Sequence, residues 1–154
     1  MKPINLKRLV ISLLIPLLVG GLAALLSGGF DTYGSLNQPP LSPPPIVFPI
    51  VWTILYIMMG IAAYLVTDFP HRETNEAMKY YYLQLGLNFL WPIVFFRMSL
   101  FTPAAIILGA MIVLIFITMM KFREISKPAF YLLIPYFLWC CFALYLNIGV
   151  AVLN

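Results

Sequence analysis

Amide and aromatic side chains recur at helical spacing in three apolar stretches of the chain. One stretch carries Gln84, Asn88, Trp91 and Phe95, whose steps of four, three and four place them on one face of a helix. Amides donate and accept hydrogen bonds, and indole rings pack well on other flat rings. Such a face suits the binding of a flat, largely apolar molecule and offers no charge for acid–base catalysis.

Two further stretches carry similar stripes at steps of four, namely Phe48, Trp52 and Tyr56 in one and Trp139, Ala143 and Asn147 in the other. Three helices can therefore each turn an aromatic or amide stripe inward, towards a ligand pocket. Two structural interpretations stay open beside the pocket. Asn and Gln often hydrogen-bond between membrane helices, and Trp52, about one turn into its stretch, also fits an aromatic belt at the membrane interface.

Other chemistry has little support in the sequence. Cys140 and Cys141 are adjacent, so they point about 100° apart on a helix and cannot share a metal; we expect two buried, inert thiols. His71 stands alone in a polar stretch and is expected to be solvated, so no metal site is predicted. No Ser–His–Asp set, phosphate-binding loop or carboxylate pair is present, and no cofactor is required.

The composition identifies the solvent of these helices. The chain has 154 residues, of which 63% are hydrophobic and 9% charged, against about 25% charged in soluble domains. Five stretches approach the roughly 20 apolar residues that cross a bilayer: 9–26, 46–66, 80–96, 103–120 and 129–153. None contains a charged residue or His. We therefore predict an all-α integral membrane protein, a five-transmembrane-helix bundle forming a single domain over 1–154.

The first stretch follows a basic start and could be read as a cleaved signal peptide. Its apolar run is longer than the 7–15 residues usual in such peptides, so we expect it to be a true span. Basic residues predict the orientation. One side carries Lys2, Lys7, Arg8, Arg72, Lys79, Lys121, Arg123 and Lys127, whereas the other carries Arg97. The positive-inside rule then places the N-terminus in the cytoplasm and the C-terminus outside. This bias and the lack of a mitochondrial presequence suit a bacterial plasma membrane, and no nucleic-acid partner is indicated.

The first connection, 27–45, is the long one and is rich in glycine and proline. Proline favours extended, semi-rigid chain, and a loop of this length usually has a function or is disordered. It is either a plain exposed linker or a lid over the outer mouth of the bundle, with Asp31, Tyr33 and Asn37 as polar anchors. The other connections are short, so neighbouring helices are expected to be antiparallel.

Small residues recur at steps of four in the first stretch, at Gly20 and Ala24, and in the fourth, at Ala105 and Gly109. Such pairs allow close helix contact. They either pack the bundle internally or form the seam of a homodimer, which we slightly favour.

Three stretches together resemble the TspO/MBR family, the tryptophan-rich sensory proteins related to the mitochondrial translocator protein, or peripheral benzodiazepine receptor. They are PPPIVFPIVWTILYIMMGIA, QLGLNFLWPIVFF and KPAFYLLIPYFLWCCFALYLN, in the family's order and covering nearly the whole chain. The resemblance implies a five-helix bundle whose pocket is capped by the first loop. It also implies binding of porphyrins, and in many members of sterols and of benzodiazepine-type drugs.

The resemblance also implies site residues. Trp52 and Trp139 correspond to the pocket tryptophans, Gln84 and Asn88 to the amide face of the third helix, and Tyr33 to the loop tyrosine. Residues that would line or shape the same cavity are Pro44, Phe48, Tyr56, Ala143 and Leu146, beside Trp91 of the amide stripe.

Two motifs depart from the family pattern. Family loops often carry a WY pair and a K-P-x-W-x-P-P run, but this chain reads Thr32-Tyr33 and QPPLSPP. Two tryptophans and a lysine are missing, which weakens lid contacts to a ligand carboxylate. The sterol motif of the fifth helix needs a base after Tyr145, and LNIGVAVLN supplies none. High-affinity sterol binding is therefore not expected as the main role.

From these residues we predict a membrane receptor-like protein that binds a tetrapyrrole, protoporphyrin IX, or another flat hydrophobic drug-like ligand, with a role in porphyrin homeostasis and stress response. Porphyrin is its ligand or substrate. Any enzymatic activity is at most light- and oxygen-dependent porphyrin degradation, with Trp52 and Trp139 in the catalytic, photo-oxidative role. The alternatives are a passive transporter or exporter of porphyrin or sterol-like molecules, and a purely structural scaffold.

Overall fold

The computed structural model describes residues 3–154 and contains five α-helices, with no strand in that range. The helices are α1 (Leu6–Ser27), α2 (Val47–Thr67), α3 (Thr74–Pro92), α4 (Phe101–Ile125) and α5 (Lys127–Leu153). A 3-10 turn spans Asp31–Ser35, and a π-helical turn, Ile93–Arg97, extends α3. Lys2, one of the basic residues used to predict orientation, lies outside the described residues.

Local sequence explains where α1 and α5 begin and where α1 ends. The side chain of Asn5 accepts the Arg8 N–H at 3.2 Å, and the side chain of Ser126 accepts the Ala129 N–H at 3.4 Å. These caps satisfy amides that a helix start leaves unpaired. α1 ends at Gly28, whose φ of +83° lies in the left-handed region that glycine adopts without strain.

Four of the helices, α1, α2, α4 and α5, are long and apolar enough to cross a bilayer. The predicted helical membrane bundle is therefore confirmed. α3 does not reach that hydropathy, because it begins at Thr74 and takes in Glu76 and Lys79, ahead of the predicted start at residue 80. A membrane crossing by α3 stays a prediction.

The helices pack in a ring in the order α1, α2, α5, α4 and α3. α2 and α3 follow each other in the chain but make few contacts, whereas α2 packs on α5 and α3 on α4. A short connection thus does not make α2 and α3 packing neighbours. Their amide and aromatic faces meet across the interior instead, where α5 also contributes.

Charged residues pair at the end of the bundle where α1 begins. The Arg8 guanidinium lies 3.9 Å from the Asp68 carboxylate and donates to the Thr67 carbonyl, and Lys121 Nζ lies 3.4 Å from the Glu76 carboxylate. The described members of the predicted basic group belong to the elements that meet at this end, whereas Arg97 follows α3 at the opposite end.

The two cysteines differ from the prediction of two buried thiols. Cys140 is buried, but Cys141 is exposed on the outside of the bundle. The reason is the helical step of about 100° between neighbouring residues, which turns Cys141 away from the core that Cys140 faces.

Two glycines let α1 and α2 approach each other closely. A Cβ on Gly60 would lie 2.8 Å from the Leu13 Cα and from the Ser12 carbonyl oxygen, and a Cβ on Gly20 would lie 2.1 Å from the Tyr56 ring. Gly20 is therefore used for packing inside the chain. Gly109 of α4, in contrast, has open space where a Cβ would point.

The Gly60 contact predicts a steric effect. Gly60→Ala should destabilise the bundle by about 1–3 kcal/mol, because the atoms it meets belong to the α1 backbone and cannot rotate away. Thermal unfolding in detergent measures this. Gly86→Ala is the matched control, since nothing lies within 4 Å of its added Cβ and alanine is the better helix former. Equal melting temperatures for the two variants would contradict the prediction.

Candidate functional site

Aromatic rings from three helices meet in the interior of the bundle. The Trp52 ring lies 5.6 Å from that of Tyr56, 6.4 Å from that of Trp91 and 6.1 Å from that of Tyr136, measured between centroids. Trp52 and Tyr56 belong to α2, Trp91 to α3 and Tyr136 to α5. At least nine-tenths of each side chain is buried, so the cluster forms an apolar interior and not an interfacial belt.

A directional chain of hydrogen bonds runs through this cluster. The Tyr56 hydroxyl donates to Asn88 Oδ1 at 2.6 Å, Asn88 Nδ2 donates to the Tyr136 hydroxyl at 2.8 Å, and the Tyr136 hydroxyl donates to Gln84 Oε1 at 2.5 Å. Asn88 and Gln84 are 2% and 1% exposed. The amides therefore tie α2, α3 and α5 together, as the structural interpretation of these residues expects.

A cavity of about 150 Å³ lies beside this chain, between α1, α2 and α3. Its walls include Trp52, Tyr56, Asn88 and Trp91, and no charged residue lines it. Asn88 uses one oxygen lone pair and one N–H in the hydrogen-bond chain, so an amide in this setting keeps one further acceptor site and one further donor. The cavity thus presents aromatic walls and an amide that can donate to or accept from a neutral ligand.

The first connection fills the space on the α5 side of Trp91. The Tyr33 side chain is 1% exposed, and its ring lies 4.9 Å from that of Phe48. Tyr33, Phe48, Trp91, Ala143 and Leu146 surround a void of only about 10 Å³. Trp91 lines both the cavity and the void.

Known proteins are similar to this chain in sequence. The family model of the TspO/MBR family matches residues 12–153. The chain is 42% identical to the tryptophan-rich protein TspO of Chlorobaculum tepidum over 79% of this chain and 78% of that protein. It is 35% identical to the tryptophan-rich sensory protein of Cereibacter sphaeroides (80% and 77%) and 36% identical to the translocator protein of Ovis aries (77% and 72%). The chain belongs to the TspO/MBR family.

The first connection of this TspO/MBR chain is fixed to α5 by hydrogen bonds. The Asn37 N–H donates to Asn154 Oδ1 at 3.2 Å, Asn154 Nδ2 donates to the Asn37 carbonyl at 2.8 Å, and the Tyr145 hydroxyl donates to the Pro40 carbonyl at 2.7 Å. Gly149 leaves room for Pro39, because a Cβ there would lie 2.4 Å from the proline ring. The segment is thus docked on α5 rather than extended as a free linker.

Tyr33 is held by the loop itself. Its hydroxyl donates to Ser42 Oγ at 3.0 Å, and its carbonyl accepts Gln38 Nε2 at 2.7 Å. Burial raises the pKa of Tyr33 above 10.0, while the hydrogen bond to Ser42 acts in the opposite direction. The phenol therefore stays neutral at physiological pH.

Trp139 lies apart from the cavity that Trp52 lines. Its ring makes an edge contact with Phe48 at 6.2 Å, and it packs on Phe142 at 5.6 Å. Its buried Nε1 has no hydrogen-bond partner among the described residues. Pro44 is exposed just before α2, where its carbonyl accepts the Val47 N–H, and it lines neither space.

The stripe predicted on α5 did not include Tyr136, which lies in the middle of the hydrogen-bond chain. It lies three and seven residues before Trp139 and Ala143, on the same side of α5. That spacing could have revealed it. Asn147, which belonged to the α5 stripe, accepts Trp91 Nε1 at 2.9 Å and donates to the Phe101 carbonyl at 2.8 Å.

The hydrogen-bond chain predicts unequal effects of removing its two hydroxyls. Tyr136→Phe leaves both Asn88 Nδ2 and Gln84 Oε1 without their partners, and each buried unpaired group costs about 1–3 kcal/mol. Tyr56→Phe leaves only Asn88 Oδ1, which borders the cavity. Thermal unfolding in detergent should show the larger loss for Tyr136→Phe, and the reverse order would contradict this assignment.

Proposed function

We propose that this TspO/MBR protein binds a flat tetrapyrrole, protoporphyrin IX, or a similar hydrophobic drug-like molecule inside the bundle, in porphyrin homeostasis and stress response. The observation that carries the proposal is the uncharged cavity walled by Trp52, Tyr56, Trp91 and the Asn88 amide. Indole and phenol rings contact a flat conjugated ligand over large areas. The amide adds a polar contact that fixes its orientation.

The size of the cavity defines what binding requires. Pockets for drug-sized ligands measure about 300–1,000 Å³, whereas the cavity here holds about 150 Å³. Tyr33 and Phe48 occupy the adjoining space, and Trp91 borders both. A porphyrin would therefore displace the Tyr33 ring, and the first connection would act as a lid that undocks and closes over the ligand.

Trp139 gives the proposal independent support. A buried indole N–H without an acceptor is uncommon, because a buried unpaired donor costs stability. A ligand that takes the place of Tyr33 and Phe48 would touch Trp139, since Phe48 is the ring that now contacts it. A ring nitrogen or carbonyl of that ligand would then accept the free Nε1–H.

We further propose a photo-oxidative activity, which the aromatic walls of the same site support. Light excites the bound porphyrin, which takes one electron from the Trp52 or Trp139 indole and passes it to dioxygen. The oxidised indole and the reduced oxygen species then break down the macrocycle. Light, dioxygen and the porphyrin are the co-reactants, and the chain needs no further cofactor for this step.

Titration with protoporphyrin IX in the dark tests the binding proposal. Wild type should show saturable one-to-one quenching of its Trp fluorescence. Trp52→Phe should weaken binding by about twofold to twelvefold, the loss of one aromatic contact of about 0.5–1.5 kcal/mol. Tyr131→Phe is the control, because Tyr131 is 61% exposed on the outside of the bundle. Quenching that never saturates in wild type would refute the proposal and favour a scaffold.

Illumination in air tests the photo-oxidative activity separately. Loss of porphyrin absorbance should slow strongly in Trp52→Phe and in Trp139→Phe at ligand concentrations that saturate each variant, because phenylalanine is a much poorer electron donor than tryptophan. Removal of dioxygen should stop the loss in wild type. Unchanged rates in both variants would show that these indoles take no part.

A passive transporter or exporter of porphyrin or sterol-like molecules is the second candidate. The docked connection over an interior cavity favours it, because such a segment could open one face of the bundle. Ligand flux into proteoliposomes in the dark distinguishes transport from binding and degradation.

We also propose the membrane arrangement and the assembly. The basic residues that gather at the end of the bundle where α1 begins support a cytoplasmic N-terminus and an outer first connection, and we propose a bacterial plasma membrane. For the proposed homodimer, α4 supports a seam better than α1, because Gly20 is covered by Tyr56 whereas Gly109 is open.

A further inference from the structure

The cavity reaches the outer surface of the bundle between α1 and α2. Its rim on α1 includes Leu17, Gly21 and Ala24, and its rim on α2 includes Pro49 and Thr53. Gly21 and Thr53 are exposed, although both line the cavity. Because α1 and α2 are apolar enough to cross the membrane, this opening faces bilayer lipid rather than water.

The shape of the opening follows from the packing of α1 on α2. Near Gly60 the two helices are in close contact, as the 2.8 Å separation between its added Cβ and the Leu13 Cα shows. One to two turns further along α1, the Tyr56 ring covers Gly20 and forms the floor of the opening. Beyond this floor, Gly21 leaves a gap, since nothing lies within 4 Å of the position its Cβ would take.

On the α5 side of the interior, the first connection closes the access to the cavity. Tyr33 is buried there, and the first connection is hydrogen-bonded to α5 through Asn37, Asn154 and Tyr145. A hydrophobic ligand dissolved in the bilayer reaches the α1–α2 opening without breaking any of these hydrogen bonds. A ligand coming from the water phase would have to break several.

We propose that flat hydrophobic ligands enter and leave the interior laterally from the bilayer, through the opening between α1 and α2, with Gly21 and Thr53 as its two rims. The proposal rests on the proposed binding function and adds the route. Undocking of Tyr33 then follows arrival of the ligand in the cavity beside Trp52, and enlarges the space from within.

A side chain placed in the opening tests the route. Gly21→Leu should lower the association and dissociation rate constants for protoporphyrin IX together, by about tenfold, and leave the dissociation constant unchanged. A barrier on the path raises the same transition state for both directions, so both rates change alike. The rates are measured by stopped-flow Trp quenching in the dark, with the protein in lipid nanodiscs.

Three variants accompany this measurement. Gly86→Leu is the matched control, because Gly86 is exposed on α3, has open space around it and does not line the cavity. Thr53→Phe narrows the opening from α2 and replaces Gly21→Leu should that variant fail to fold. Asn154→Ala removes two hydrogen bonds between the first connection and α5, and should leave the association rate constant unchanged.

Each other outcome overturns the lateral route. Wild-type rates in both rim variants would show that ligands do not pass the opening. A slower association without slower dissociation would place Gly21 in the binding site instead of on the path. Faster association in Asn154→Ala would assign the path to the first connection. Absence of saturable binding in wild type is a different result, which refutes the proposed function and this route with it.

Discussion

The hydrogen-bond chain through Asn88 is the constraint on which the interior depends. Lipid offers no partner to a buried amide or hydroxyl, so these groups must satisfy each other. Asn88 binds Tyr56 of α2 and Tyr136 of α5 from its place on α3. These hydrogen bonds join α3 to helices that are not its neighbours in the ring, and they fix how each helix is turned about its own axis. This orientation brings Trp52 of α2 and Trp91 of α3 to the same cavity.

Helical periodicity was sufficient to predict which faces point inward. Every member of the α3 stripe is buried, as are Phe48, Trp52 and Tyr56 of the α2 stripe. Steps of three and four residues in an apolar chain identify these faces because polar groups avoid lipid. The four apolar spans were predictable for a similar reason. Hydropathy alone was less informative for α3, whose amides and charged first turn lower its apolar character.

Periodicity does not show which helix a face will meet. The separation of α2 from α3 depends on how α5 fits between α2 and α4, a packing outcome with no signature in any single segment. The docking of Pro39 on Gly149 likewise joins residues 110 positions apart in the chain. The partner of each amide was equally unpredictable. Tyr136 accepts from Asn88 and donates to Gln84 because the order of the helices in the ring places α5 opposite α3.

Tyr33 links the fold to the energetics of the proposed ligand binding. Its ring fills space that a large ligand needs, so the apparent affinity is the intrinsic affinity reduced by the fraction of molecules in which Tyr33 has left. Net hydrogen bonds contribute about 0.5–1.5 kcal/mol each, and those holding the first connection lie on the exposed rim of the bundle. The buried hydrogen-bond chain of Asn88, by contrast, cannot open without leaving its amides without hydrogen-bond partners in an apolar environment. In the proposed function, a ligand therefore gains space by displacing the first connection, while α2, α3 and α5 keep their arrangement and the aromatic walls stay in place.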